Sequence, residues 1–246
     1  MAKLTKIAVI PVFLFLFLFG TVQSQAEYST DKAAFAAKYP GLTSQMFADS
    51  NAGPGDSIAC DAPVGSFTNN PCVTPGVIDP ALFFSINGLA TNAMQMNGPM
   101  IPDFVNPNTA LTTSTSLQSF FVRFTEEIPV NVVGLDIGCF DKSDEPGCSS
   151  TVEVEVFGFG GNIIGGFELD VTDEFDSFLG ISNGDPIREI RITPLGPDAV
   201  VAGVDAVYFG FFRNVPTMSE WGMIATVAGL GLIGFMVIRR RKSEVS

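Results

Sequence analysis

Histidine is absent from all 246 residues of the chain, and that absence removes more chemistry than any motif supplies. Hydrolases of the Ser-His-Asp and Cys-His kinds need an imidazole base, and zinc sites of the Cys2His2 kind need imidazole ligands. Gly180-Ile181-Ser182-Asn183-Gly184 has the GxSxG spacing of a nucleophile elbow, but without a base the five residues read as a strand end and a turn. Tryptophan occurs once, at Trp221, and tyrosine three times, at Tyr28, Tyr39 and Tyr208, so any stacking platform in the body of the chain must use tyrosine or phenylalanine. Positive charge is scarce as well. Six of the 13 lysines and arginines lie in the two termini, which leaves 7 cations against 24 acids between residues 27 and 214, a net charge of −17. Such a surface repels nucleic acid, and a nucleic-acid partner is excluded on that ground.

Long apolar runs occur only at the ends. Lys3 and Lys6 precede the run from Ile7 to Gly20, and Ser24-Gln25-Ala26 offers small residues at a cleavage site, so residues 1–26 are expected to be a signal peptide cut after Ala26. An uncleaved anchor is the alternative. At the other end, Trp221 to Ile238 carries no charge over eighteen residues, a helix of roughly 27 Å that just spans a hydrocarbon core. Arg239, Arg240, Arg241 and Lys242 follow it and would hold that end in the cytoplasm, placing the preceding domain outside. Residues 27–214 remain, one domain's worth of chain.

Cysteines number four. An even count in an exported chain suggests disulfides, and of the three connectivities the sequential one, Cys60–Cys72 and Cys139–Cys148, closes two short loops. Zinc is the competitor, without a CxxC pair or a histidine to favour it.

One helix is expected near the start, over residues 31–38, capped by Ser29 or Thr30 and stopped by Pro40-Gly41. Strands follow, read at residues 82–86, 119–125, 130–137, 151–159, 163–169, 175–181, 187–193 and 200–211. Val152, Val154 and Val156 share one face and Glu153 and Glu155 the other, while Ile187, Ile190 and Ile192 punctuate Arg188, Glu189 and Arg191, as half-buried strands require. Hairpins are expected at Gly160-Gly161-Asn162, across Asn183-Gly184-Asp185-Pro186 and between Cys139 and Cys148. Residues 50–115, rich in Gly, Pro, Asn and Thr, read as long edge loops. The fold class is therefore all-β, an antiparallel β-sandwich of jelly-roll type with a short N-terminal helix, flanked by a signal peptide and one C-terminal transmembrane helix.

Val215-Pro216-Thr217-Met218-Ser219-Glu220-Trp221-Gly222, then an apolar run over 221–238, then the basic tail 239–242, closely resembles the IPTL-CTERM sorting signal, a relative of PEP-CTERM signals. Val215 and Met218 stand where Ile and Leu are usual. The resemblance implies an exported protein of a polysaccharide-producing Gram-negative bacterium. Its implied partners are the export machinery with signal peptidase, and an exosortase-type membrane enzyme that reads residues 215–222. Extracellular polysaccharide is a further implied partner.

Thr30-Asp31-Lys32-Ala33-Ala34-Phe35, Val132-Val133-Gly134-Leu135-Asp136-Ile137 and Gly203-Val204-Asp205-Ala206-Val207-Tyr208-Phe209-Gly210 look like the extracellular domain of PEP-CTERM proteins, which is similar to jelly-roll carbohydrate-binding modules. Asp136 and Asp205 interrupt apolar strands, and a buried carboxylate needs a partner. In the modules that the domain resembles, an acid of the last strand and one near the domain start can hold a structural calcium ion. Asp205 matches the first and Asp49 the second. The alternative is that Asp205 ends a strand or accepts hydrogen bonds, and Asp205 is expected to share a face with Val201, Gly203, Val207 and Phe209.

The leading expectation is a non-enzymatic, surface- or matrix-associated interaction protein. A calcium-dependent carbohydrate-binding module is the second reading. A secreted glycosidase is the third, using Glu153 and Glu155 or the other carboxylate pairs Glu126-Glu127 and Asp173-Glu174 with Asp176.

Overall fold

Alternation of apolar and polar side chains predicts strands buried on one face, and two sheets closed over such faces make up the body of the chain. The structure is a computed structural model that describes residues 26–67, 70–86, 94–99, 108–115, 118–141, 148–195, 200–212 and 224–231. The chain divides into two units, Met1–Phe212 and Arg213–Ser246.

In the first unit the strands are β1 (Glu27–Ser29), β2 (Thr43–Met46), β3 (Ser57–Cys60), β4 (Val64–Gly65), β5 (Leu82–Ile86), β6 (Met94–Asn97), β7 (Ala110–Thr113), β8 (Phe120–Phe124), β9 (Val132–Asp141), β10 (Ser149–Gly158), β11 (Ile163–Thr172), β12 (Ser177–Ser182), β13 (Ile187–Pro194) and β14 (Val200–Gly210). The larger sheet runs β1-β12-β9-β14-β7-β6-β3, with β2 also paired to β14. The second runs β11-β10-β13-β8-β5-β4. Every pairing is antiparallel. Between the sheets lies one apolar core that includes Val133, Leu135 and Ile137 from β9, Val152, Val154 and Val156 from β10, and Ile187, Ile190 and Ile192 from β13.

Two expected hairpins prove to be crossings. β9 and β12 belong to the larger sheet whereas β10 and β13 belong to the other, so Cys139–Cys148 and residues 183–186 each carry the chain from sheet to sheet. Local turn chemistry marks a reversal but does not say which sheet receives the next strand. Gly160-Gly161-Asn162 does close a hairpin, β10 to β11, with Gly161 at φ 74°.

Residues 50–115 contain more than loops. β3, β6 and β7 pair in order to extend the larger sheet, although Met94-Gln95-Met96-Asn97 is poor in the β-branched residues that mark a strand. Burial decides there: Met94 and Met96 enter the core, and the Asn97 amide donates to the Thr112 hydroxyl at 3.0 Å within the sheet.

Helix α1 (Lys32–Lys38) is capped by Asp31, whose side chain accepts from the Ala34 N–H at 2.9 Å. Asp31 thus takes the place expected of Ser29 or Thr30, and Ser29 pairs in β1 instead. The helix lays Phe35 against Gly180, where a Cβ would run into its ring, and beside Gly134, where the Phe178 ring is the nearer neighbour. Phe175, at φ 56°, sits before β12 and places its ring over Gly138, a left-handed conformation that costs of order 1 kcal/mol and is held by that burial.

The second unit is helical over residues 224–231, with Ile224, Val227 and Leu230 exposed. Among the described residues no helix is long and apolar enough to cross a membrane. The rest of the span expected over 221–238, and residues 1–25 of the signal peptide, lie outside the described residues.

Candidate functional site: a cleft where the larger sheet forks

Strand β14 carries two neighbours along one edge. β7 pairs with Gly203 and Val204, and β2 takes over from Ala206 to Phe209. Asp205 stands between them. On the opposite edge the register with β9 passes from Val204–Ile137 to Ala206–Asp136, leaving Asp205 as the extra residue of a β-bulge.

The bulge switches the parity of the strand. Val200, Ala202 and Val204 enter the core before it, and Val207 and Phe209 enter after it, so Asp205 keeps the side of Val201 and Gly203 but does not share the face of Val207 and Phe209 as expected. It joins Ala206 and Tyr208 on the outer side. There, between the fork and the turn that follows β2, a cleft of about 490 Å³ opens, lined among others by Lys32, Ser50, Asn108, Asp136, Asp205 and Tyr208.

Both interrupting carboxylates are buried, Asp136 at 6% and Asp205 at 7% exposure, and both have partners. Asp136 Oδ2 accepts from Lys32 Nζ at 2.6 Å and from the Tyr208 hydroxyl at 3.1 Å. Asp205 Oδ2 accepts from Asn108 Nδ2 at 3.1 Å. The cation facing Asp136 is therefore the chain's own, delivered by the first turn of α1. Burial lowers the Lys32 pKa, but the hydrogen bonds and charge of Asp136 and Tyr208 outweigh it and raise the pKa above the ordinary lysine value. Burial also raises that of Tyr208. A lysine shifted in this direction stays a cation and is no nucleophile at neutral pH.

Asp49 is exposed in the turn after β2 and, unlike its neighbours Ala48 and Ser50, does not line the cleft. The structure thus does not bring Asp49 and Asp205 to one cavity. Among the described residues no group of three or more His, Cys, Asp or Glu side chains could hold a metal ion.

Other singled-out residues lie elsewhere. Glu155 meets Arg191 across the outer face of the second sheet at 3.0 Å, and Glu153 is exposed beside it on the same strand. Gly180 to Gly184 form the end of β12 and the turn beyond it. Cys60 is bonded to Cys72 and Cys139 to Cys148. The motif residues Val215 to Gly222 and the basic residues Arg239 to Lys242 lie outside the described residues.

Sequence reasoning missed Lys32, Asn108 and Tyr208 as members of this cleft. They are far apart in the chain, and only the pairing of β14 with β9 and β2 gathers them. An alternation count over residues 200–209 gave no warning, because small apolar residues on both sides of Asp205 make either parity plausible.

Fold and covalent links together define the body as an all-β sandwich domain with two cystines, followed by a separate C-terminal segment. That segment has a recognisable identity: residues 215–242 match the IPTL-CTERM motif, a C-terminal sorting signal that implies export and a stage at which the C-terminus is membrane-associated. No curated protein matches the chain.

Proposed function

We propose that this chain is a non-enzymatic interaction or structural protein, exported across the inner membrane, anchored there at least transiently, and delivered to the cell surface or extracellular matrix. The match of residues 215–242 to the IPTL-CTERM motif carries this reading. An exosortase-type membrane enzyme would read Pro216 and Thr217 and release or transfer the domain, after signal peptidase has removed residues 1–26. The absence of histidine and the upward shift of Lys32 support a role without catalysis. The net charge of −17 between residues 27 and 214 favours a setting away from nucleic acid.

The test is the intact mass of the protein recovered from its host, with the fraction in which it is found. The expected species starts near Glu27, ends near Pro216 or Thr217 and lies outside the inner membrane. Pro216→Ala with Thr217→Ala should leave the tail attached. A wild-type protein still carrying Arg239 to Ser246 in the inner membrane would reduce the segment to an ordinary anchor.

A further inference from the structure

The outer face of the second sheet holds an arrangement that sorting does not use. Two rows of side chains run across its strands in register. Phe83 on β5 faces Arg123 on β8, which faces Glu189 on β13, which faces Phe157 on β10. One row further, Phe121 faces Arg191, which faces Glu155.

The guanidinium groups are held on two sides. Arg123 Nε meets Glu189 at 2.5 Å and Arg191 meets Glu155 at 3.0 Å. Arg123 lies 4.8 Å from the centre of the Phe121 ring, and Arg191 lies 5.2 Å from Phe121 and 4.7 Å from Phe157. Ion pairing and ring stacking together fix planar groups that would otherwise sample many rotamers. The terminal NH2 groups of Arg123 donate to none of the described residues.

Above the first row lies a cleft of about 720 Å³, bounded by Thr125 and Glu126 on one side and by Gly158 and Gly161 of the β10–β11 turn on the other. A register shift between Phe157 and Gly158 leaves Arg188 unpaired in the ladder, and its exposed side chain joins the mouth of the cleft. Of the five cations described in the domain, Lys32, Lys38, Arg123, Arg188 and Arg191, three line this one cleft.

Glu189 and Glu126 line the cleft with the three arginines, and Glu155, which lies beside the lining, is ion-paired to Arg191, so with that partner counted the charges of the cleft balance on a domain of net charge −17. That combination selects the ligand. An anionic polymer would meet the field of the whole domain with no local excess of cations to offset it. A peptide strand would seek a sheet edge with free backbone groups, and this is a face. An uncharged polyol fits. Its hydroxyls both donate and accept, as alternating arginines and glutamates require, and its C–H faces can rest on Phe83 and Phe157.

We infer that this cleft is a calcium-independent binding site for a neutral polysaccharide. The inference deepens the reading of the chain as a surface interaction protein and rests on it for where the ligand is met. Binding itself is read with purified full-length protein in detergent micelles, by calorimetry against dextran, galactomannan and xyloglucan, with polygalacturonate as the acidic comparison. At least one neutral polymer should bind, unaffected by EDTA and by added salt. Phe157→Ala should weaken that binding about tenfold and Arg188→Ala severalfold, while Lys38→Ala should change nothing. Arg188 is exposed, so its variant tests the site with the fold intact, and thermal melts check the others.

Binding to polygalacturonate alone, binding lost in EDTA, binding unchanged in both cleft variants, or no binding to any neutral polymer would each overturn the inference. A failure here with normal processing in the cell would leave the sorting reading standing. Binding by a protein whose tail is never cut would do the reverse.

Discussion

At the residue scale, the packing of α1 depends on two glycines having no side chain. Phe35 occupies the space over Gly180 that a Cβ would need, and over Gly134 the Phe178 ring, with Phe35 behind it, leaves a Cβ crowded. Gly180→Ala should therefore destabilise the domain by about 1–3 kcal/mol, read from urea melts. The same change in a Phe35→Ala background should cost less, because the clash has gone. Lys32 adds an electrostatic tie to the same docking. The pKa values of both Lys32 and Tyr208 are raised in the fold, and a raised pKa means that the folded state holds the proton more tightly. Stability from these groups is present below their unfolded values, 10.5 for Lys32 and 10.0 for Tyr208, and is lost as pH rises through the higher folded ones. Lys32 is half-exposed, so solvent screening keeps its share below about 1 kcal/mol. Denaturant melts from pH 8 to pH 11.5 should show a decline above pH 10 that Lys32→Met makes shallower.

At the element scale, the bulge in β14 sets the outer surface of the larger sheet. Val204 and Val207 both face the core with two residues between them, so removing Asp205 would restore strict alternation rather than break it. A chain lacking Asp205 should fold with near-native stability and lose the Asn108 contact, whereas a chain lacking Ala202 should turn residues 200–201 to the wrong face and lose more than about 4 kcal/mol. Near-UV circular dichroism and urea melts of the two deletions distinguish them. Equal damage in both would show that the bulge, not the alternation, holds the strand. The elements legible in sequence were those with their own pattern: β10 and β13 alternate visibly, and α1 has its stop. Those that escaped, β1, β2, β3, β4, β6 and β7, are short and earn their place through pairing with one another and with β5, β12 and β14.

At the scale of the whole molecule, the chain separates a body from an address. The first unit ends at Phe212, whose backbone is held on both sides by the Asn131 amide, at 2.8 Å in each direction. The IPTL-CTERM match begins at residue 215, so a cut at Pro216 or Thr217 would leave every described strand of the body untouched. That is why the mass of the recovered protein, and not its fold, is the measurement that bears on sorting. The surplus of acid over the body likewise acts as a property of the whole, setting which ligands can approach before any one side chain is met.

What the sequence determined by itself were features carried by adjacent residues: the sorting motif, the charge balance, the missing imidazole and the alternation of the longer strands. Each is local or additive, and no partner elsewhere in the chain is needed to read it. Tertiary structure alone decided which sheet each strand joins, that Asp205 faces outward, and that Lys32 reaches Asp136 across 104 positions of sequence. It also decided that Phe83, Arg123, Glu189 and Phe157, drawn from separate strands, form one row. These are long-range pairings, fixed by burial against distant strands and by a one-residue bulge that no local pattern announces.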